Sequence, residues 1–93
     1  MERMEITQKH SEIMDVTQEE CAEVIQAISK IRRFGLESEH NSVTNKEHLE
    51  EEVGDLMCML NLLDEFGLVD WTKVSLYAQN KRRKLQKWTT IFE

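Results

Sequence analysis

Two pairs of acidic residues in this chain have a spacing that suits metal and phosphate chemistry. Glu20 and Glu23 are three residues apart, and so are Glu52 and Asp55. On a helix, residues i and i+3 lie one above the other, so each pair would present two carboxylates to one point. Both pairs lie on or beside an apolar stripe, where a helix that packs against a neighbour usually carries Leu or Val. We therefore expect all four carboxylates to meet where two helices pack.

Four carboxylates in a partly dry site cannot all stay ionised without compensation. Like charges raise one another's pKa, and burial raises it further. A hard divalent cation relieves this, because Mg²⁺ binds carboxylate oxygens, water and substrate phosphates without His or Cys ligands. The four acids thus predict a Mg²⁺ site, which would also suit Mn²⁺. The competing interpretation is ordinary surface charge, since a chain with 18 acidic residues contains some such pairs by chance.

The composition predicts a small helical protein. The 93 residues include no Pro and only three Gly, and Glu, Lys, Leu and Ala, which favour helices, are abundant. The net charge of −6 argues against nucleic acid as the partner. No apolar run approaches the roughly 18 residues of a membrane span, so we expect a cytoplasmic protein that binds no membrane. Cys21 and Cys58 are then expected to be buried, reduced thiols.

Hydrophobic periodicity predicts a first helix within residues 4–34. Thr17 and Glu20 match a capping box, which would break the helix at that point, but we favour one continuous or slightly bent helix. Gly35 follows a basic segment and is typical of the residue that ends a helix. Residues 36–45 show no periodicity and predict a loop.

A second helix begins at the capping box formed by Thr44 and Glu47 and ends at Gly67. Asp70 is the predicted N-cap of a third helix. No repeat or linker interrupts the chain, so we expect a single domain over residues 1–93. Three amphipathic helices leave apolar surface that so short a chain cannot cover. The prediction is therefore an all-α, three-helix protomer that forms an oligomeric four-helix-bundle core.

The two acidic pairs are part of a longer pattern that resembles a known family. The segments EECAE, residues 19–23, and EVGD, residues 52–55, match the EExxE…ExxD signature of the MazG-like family in the all-α NTP pyrophosphatase superfamily. The similarity to small phage and bacterial members extends from EECAEVIQAISKIRRFG to the closing NKRRKLQKW. The 28 residues between the two halves are at the long end of the range in that family.

This resemblance implies a Mg²⁺-dependent enzyme that forms a homodimer or homotetramer. Its substrate would be a nucleoside triphosphate, (d)NTP, hydrolysed to (d)NMP and pyrophosphate. Glu19 also belongs to the motif, and we expect Glu19 and Glu20 to act in catalysis, with Glu19 orienting water. Two alternatives stay open: a phosphoribosyl-ATP pyrophosphatase, which resembles the same superfamily, and a non-catalytic helical adaptor. Matched position by position, the metal ligands would be Glu20, Glu23, Glu52 and Asp55.

Basic residues predict where the phosphates bind. Five of the twelve basic residues fall in KRRKLQK, residues 81–87, although a solvated helix end that complements the helix dipole explains this run equally simply. Two further basic residues follow Glu23 on roughly the same side of the first helix; their alternative role is to pair with nearby acids. We expect Phe34, Trp71 and Trp88 to lie in the core. The predicted substrate contacts are Lys30, Arg33, Asn80, Lys81 and Lys84.

Overall fold

The fold is all-α, as predicted, with one small β-hairpin added. The computed structural model describes residues 4–93. A two-stranded antiparallel sheet lies between the first two helices, with His40 opposite Val43. No helix within residues 4–93 is long and apolar enough to span a membrane. The elements are α1 (Gln8–Phe34), β1 (Glu39–His40), β2 (Val43–Thr44), α2 (Asn45–Glu65) and α3 (Trp71–Trp88).

Helix α1 is continuous, which confirms the prediction of one long helix. It begins at the N-cap Thr7. At the predicted break, the Thr17 hydroxyl donates a hydrogen bond to the Ile13 carbonyl oxygen at 2.7 Å. Thr17 is therefore accommodated inside the helix rather than capping a new one. The helix ends at Gly35, which has φ +91° and donates its N–H to the Ile31 carbonyl oxygen at 2.8 Å.

The loop expected over residues 36–45 contains the hairpin. Asn41 and Ser42 both have positive φ, +53° and +67°, which is the backbone of a two-residue type I′ turn. Periodicity cannot reveal strands of only two residues, so the sequence predicts only a loop here. The side-chain amide of Asn45 donates to the Gly35 carbonyl oxygen at 2.9 Å and ties the start of α2 to the end of α1.

Helices α1 and α2 form an antiparallel pair that is tied at both ends. At the end away from Asn45, the His10 ring bridges the two helices. Its Nδ1 accepts the Thr7 N–H at 3.0 Å, so the proton lies on Nε2, which donates to the Phe66 carbonyl oxygen at 3.0 Å. Between these ends Ala27 is only 1% exposed, and its small side chain allows the helices to approach closely.

Helix α3 departs from this pair instead of packing on it. None of its residues is buried, although Asp70 caps it as predicted, accepting the Thr72 N–H at 3.0 Å. The expectation that Trp71 and Trp88 lie in the core is therefore wrong for the protomer, and Phe34 is exposed as well. Both cysteines are also exposed, because a two-helix layer leaves the outer faces of α1 and α2 uncovered.

Candidate metal centre

Three of the predicted acids converge between α1 and α2. One carboxylate oxygen from each of Glu20, Glu52 and Asp55 lies within 4.8 Å of the other two. Glu20 occupies the buried stripe of α1, since it lies seven residues from both Ile13 and Ala27, the two buried apolar residues of that helix. Pairing α1 with α2 therefore places Glu20 at the helix interface, where Glu52 and Asp55 meet it.

The electrostatics of the cluster are unfavourable without a compensating charge. Glu52 is 9% exposed, and its Oε1 lies 3.2 Å from Nε2 of His48, four residues earlier on α2. Oε2 of Glu20 is the one buried side-chain oxygen or nitrogen in residues 4–93 that has no hydrogen-bond partner. Burial, followed by the negative charges of Asp55 and Glu52, raises the pKa of the Glu20 carboxyl above its ordinary value.

A hard divalent cation fits this donor set. An oxygen that is buried without a donor loses its hydration and gains nothing in return, and a cation at that position would remove the deficit. Three carboxylates provide only part of the shell of Mg²⁺, which usually keeps several waters and binds substrate phosphates as well. His48 would hold Glu52 in orientation, as a hydrogen-bonded neighbour of a metal ligand commonly does. His48 is not among the predicted site residues, although its spacing of four residues from Glu52 on a helix is visible in the sequence.

The fourth predicted ligand lies at the edge of the cluster. Glu23 is exposed and is not among the three acids within 4.8 Å. Its charge and that of Glu19 nevertheless contribute to the raised pKa of Glu20, after the contributions of Asp55 and Glu52. Both carboxylates therefore lie within electrostatic range of Glu20, and both are exposed on α1.

Two adjoining cavities lie beside the hairpin, with volumes of about 230 and 330 Å³. Lys30, His40 and Asn45 line both of them. The first is also lined by His48, which contacts the acid cluster, and the second by Arg33. The structure therefore places both predicted basic residues of α1 in a recess beside the hairpin, which His48 connects to the carboxylates. The larger cavity is within the range of about 300–1,000 Å³ that is typical of small-ligand pockets.

The predicted substrate contacts on α3 lie away from the cavities and the acid cluster. Asn80, Lys81 and Lys84 are exposed on a helix that does not pack against α1 and α2. Asn80 accepts a hydrogen bond from the Arg83 guanidinium at 2.6 Å. The structure of one chain thus brings Lys30 and Arg33 towards the acids but leaves the α3 residues outside the pair.

One comparison with known proteins identifies the family of this chain. A sequence model of the MazG nucleotide pyrophosphohydrolase domain matches residues 8–88. The chain belongs to the MazG family. No curated protein and no solved structure matches it. The MazG match runs from the start of α1 to the end of α3 and so includes all three helices. Membership implies a hydrolase of the nucleotide pyrophosphohydrolase class, and the carboxylate cluster is consistent with the divalent-metal dependence typical of that family.

Proposed function

We propose that this chain is a Mg²⁺-dependent nucleoside triphosphate pyrophosphohydrolase, which converts a (d)NTP to (d)NMP and pyrophosphate. One observation carries the proposal: Glu20, Glu52 and Asp55 converge between two helices of a MazG chain, and one buried oxygen of Glu20 lacks any protein donor. Mn²⁺ would suit the same ligands. We also propose that residues 1–93 form a single domain.

The reaction adds one water across the phosphoanhydride bond between the α- and β-phosphates. The water oxygen bonds to the α-phosphorus, and the bond between that phosphorus and the bridging oxygen breaks. Pyrophosphate leaves with the bridging oxygen. A bound divalent ion would supply charge neutralisation and a more acidic water. The converging carboxylates would hold the ion, with Glu23 joining them at the exposed edge. Glu19, exposed next to Glu20, would orient the attacking water.

The basic residues would act on the phosphates. Lys30 and Arg33 line the recess beside the hairpin, where their charges would bind the triphosphate next to the carboxylates. Lys81 and Lys84 would stabilise the charge that develops on the departing pyrophosphate, because fixed cations are most effective where charge appears in the transition state, and the neutral Asn80 amide would donate a hydrogen bond to it. Since these residues lie outside the α1–α2 pair of their own chain, they would come from another copy in the expected homodimer or homotetramer.

Pyrophosphate release measures this activity directly. The purified chain is given dCTP, dUTP, dGTP, ATP or phosphoribosyl-ATP, with Mg²⁺ or with EDTA. We expect Mg²⁺-dependent cleavage of at least one nucleoside triphosphate. Glu20→Gln and Glu52→Gln should each reduce the rate by more than about 100-fold while the helical circular dichroism is retained, because losing even a residue behind a ligand costs 10–100-fold. Glu50→Gln, an exposed change on the same helix as Glu52, should leave the rate unchanged.

The other functions give different results in the same assay. Cleavage of phosphoribosyl-ATP alone would identify that substrate instead. An adaptor would cleave nothing and would show no thermal stabilisation by Mg²⁺ with a non-hydrolysable triphosphate, whereas a ligand at about 100 times its Kd stabilises by about 2.7 kcal/mol. Full activity in Glu52→Gln would refute the ligand assignment.

A further inference from the structure

The recess beside the hairpin lies about two to three helical turns from the acid cluster. At about 1.5 Å of rise per residue, Lys30 and Arg33 follow Glu23 along α1 by about 10 and 15 Å. On the antiparallel α2, Asn45 precedes Glu52 by seven residues, or about 10 Å. In a nucleoside triphosphate the base and the phosphates lie at opposite ends of the molecule. A substrate whose phosphates lie at the acids can therefore place its base in this recess.

The larger of the two cavities contains groups that suit a base better than a phosphate. Glu39 and Phe34 line it together with Arg33. A carboxylate repels a triphosphate, whereas it accepts hydrogen bonds from the N–H groups of a base. The Phe34 ring is 63% exposed, and an exposed aromatic face can stack on any base. This cavity therefore suits the base end of the substrate.

The charged groups around this cavity do not neutralise one another. Lys30, Arg33 and Glu39 all line it, but within residues 4–93 the one ion pair joins His48 to Glu52. None of the three lining charges is therefore held in a salt bridge. A ligand that offers hydrogen-bond donors on one edge and acceptors on another would complement the acid and the cations together.

Guanine is the base whose edges match these groups. Its N1–H and N2–H₂ groups are neighbouring donors, and one carboxylate can accept from both at once. Its O6 and N7 atoms are neighbouring acceptors, and their bidentate contact with Arg or Lys is the commonest specific contact to a base. Adenine and cytosine offer a carboxylate a single amino group, and uracil and thymine offer one N–H between two carbonyl groups. Glu39 and Arg33 thus provide partners for both edges of guanine.

We propose that the larger cavity binds the nucleobase and that Glu39 selects guanine by accepting from N1–H and N2–H₂, while Arg33 contacts O6 and N7. Lys30 is nearer to the acids and stays on the triphosphate, so the two cations of α1 divide the substrate between them. The preferred substrate is then dGTP or GTP. The inference rests on the proposed function for the phosphate end of the substrate, whereas the base end depends on the cavity and its unpaired charges.

Deoxyinosine triphosphate, dITP, tests the selection because it differs from dGTP only by lacking the 2-amino group. With Mg²⁺, the KM of the wild type for dGTP should be at least about tenfold lower than for dITP, dATP or dCTP, because hydrogen bonds to a charged acceptor are strong. In Glu39→Gln the preference for dGTP over dITP should disappear with little change in kcat, since a contact made equally in the ground and transition states acts on KM.

The matched control for this variant is Glu37→Gln. It is an exposed change in the same loop, and residue 37 lines neither cavity, so the preference for dGTP should be kept. A wild type that prefers dATP or dCTP, or a dGTP-to-dITP ratio that Glu39→Gln leaves unchanged, would overturn the assignment of the base site.

Thermal stabilisation tests the same selection without hydrolysis. The probes are the α,β-methylene analogues of dGTP, dITP and dCTP with Mg²⁺, in which the bond to be cleaved is blocked. The dGTP analogue should raise Tm most in the wild type and in Glu37→Gln, but no more than the dITP analogue in Glu39→Gln. If this order holds while no triphosphate is hydrolysed, the proposed function fails and the base site stands. If the analogues stabilise equally, or none stabilises, guanine selection is refuted even where pyrophosphate is released.

Discussion

His10 should stabilise the protein through its hydrogen bonds, and replacing it with Ala tests this. The ring is 7% exposed. It accepts the Thr7 N–H and donates to the Phe66 carbonyl oxygen, each at 3.0 Å. The first bond caps α1, and the second joins the start of α1 to the end of α2. His10→Ala removes both and leaves the Phe66 carbonyl, in a half-buried residue, without this donor.

The expected loss follows from these two bonds. A typical intramolecular hydrogen bond contributes about 0.5–1.5 kcal/mol net, so His10→Ala should lower the free energy of unfolding by about 1–3 kcal/mol. In a domain of this size each kcal/mol changes Tm by about 4–8 °C, and a loss near 2 kcal/mol corresponds to a drop of about 8–16 °C. The contact between α1 and α2 would weaken at the end nearer to His10.

Two further variants test how much each of the two hydrogen bonds contributes to stability. Their thermal unfolding is measured at one fixed protein concentration. His10→Gln keeps a side chain that can reach back to the Thr7 N–H, as in a standard capping box, and should recover about half of the loss. His40→Ala, at an exposed position in the hairpin, should change stability by less than about 0.5 kcal/mol. The reasoning is refuted if His10→Ala matches wild type, or if His10→Gln is as damaging as His10→Ala.

Three other predictions concern the hairpin turn, the hydrogen bond from Asn45 to Gly35 and the acid cluster. Ser42→Gly should raise the free energy of unfolding by about 1 kcal/mol, because φ is +67° at this position and a residue other than Gly is strained there. A lower Tm would contradict this argument, and Ser38→Gly is the control. Asn45→Ala should cost about 1–2 kcal/mol by removing the donor to Gly35, and an unchanged urea midpoint would show that the tie is dispensable. In EDTA, the raised pKa of Glu20 means that its contribution to stability is present below pH 4.5, the ordinary value, and is lost as the pH rises through the raised value in the folded state. Glu20→Gln should abolish that loss in Tm measured against pH, and identical pH profiles would exclude this carboxyl as its source.

The sequence was sufficient for the features that depend on local interactions. Helix α1 and its end at Gly35 follow from periodicity and a residue that tolerates positive φ. The capping positions of Thr44 and Asp70 follow from side chains that accept backbone N–H groups within three residues. That Glu20 belongs to a buried stripe was also readable, because it shares a helix face with Ile13.

Only the tertiary structure decided which acids meet and where α3 lies. Residues three apart on a helix differ by about 60° around its axis, so the rotation of each helix against its neighbour determines whether the second acid of a pair points inward. That rotation brings Asp55 to Glu20 but leaves Glu23 at the edge. The direction of α3 depends on the bonds that Leu63 and Asp64 accept in the connection. Periodicity cannot determine either feature, because it describes each helix separately and both depend on how one element is placed against another.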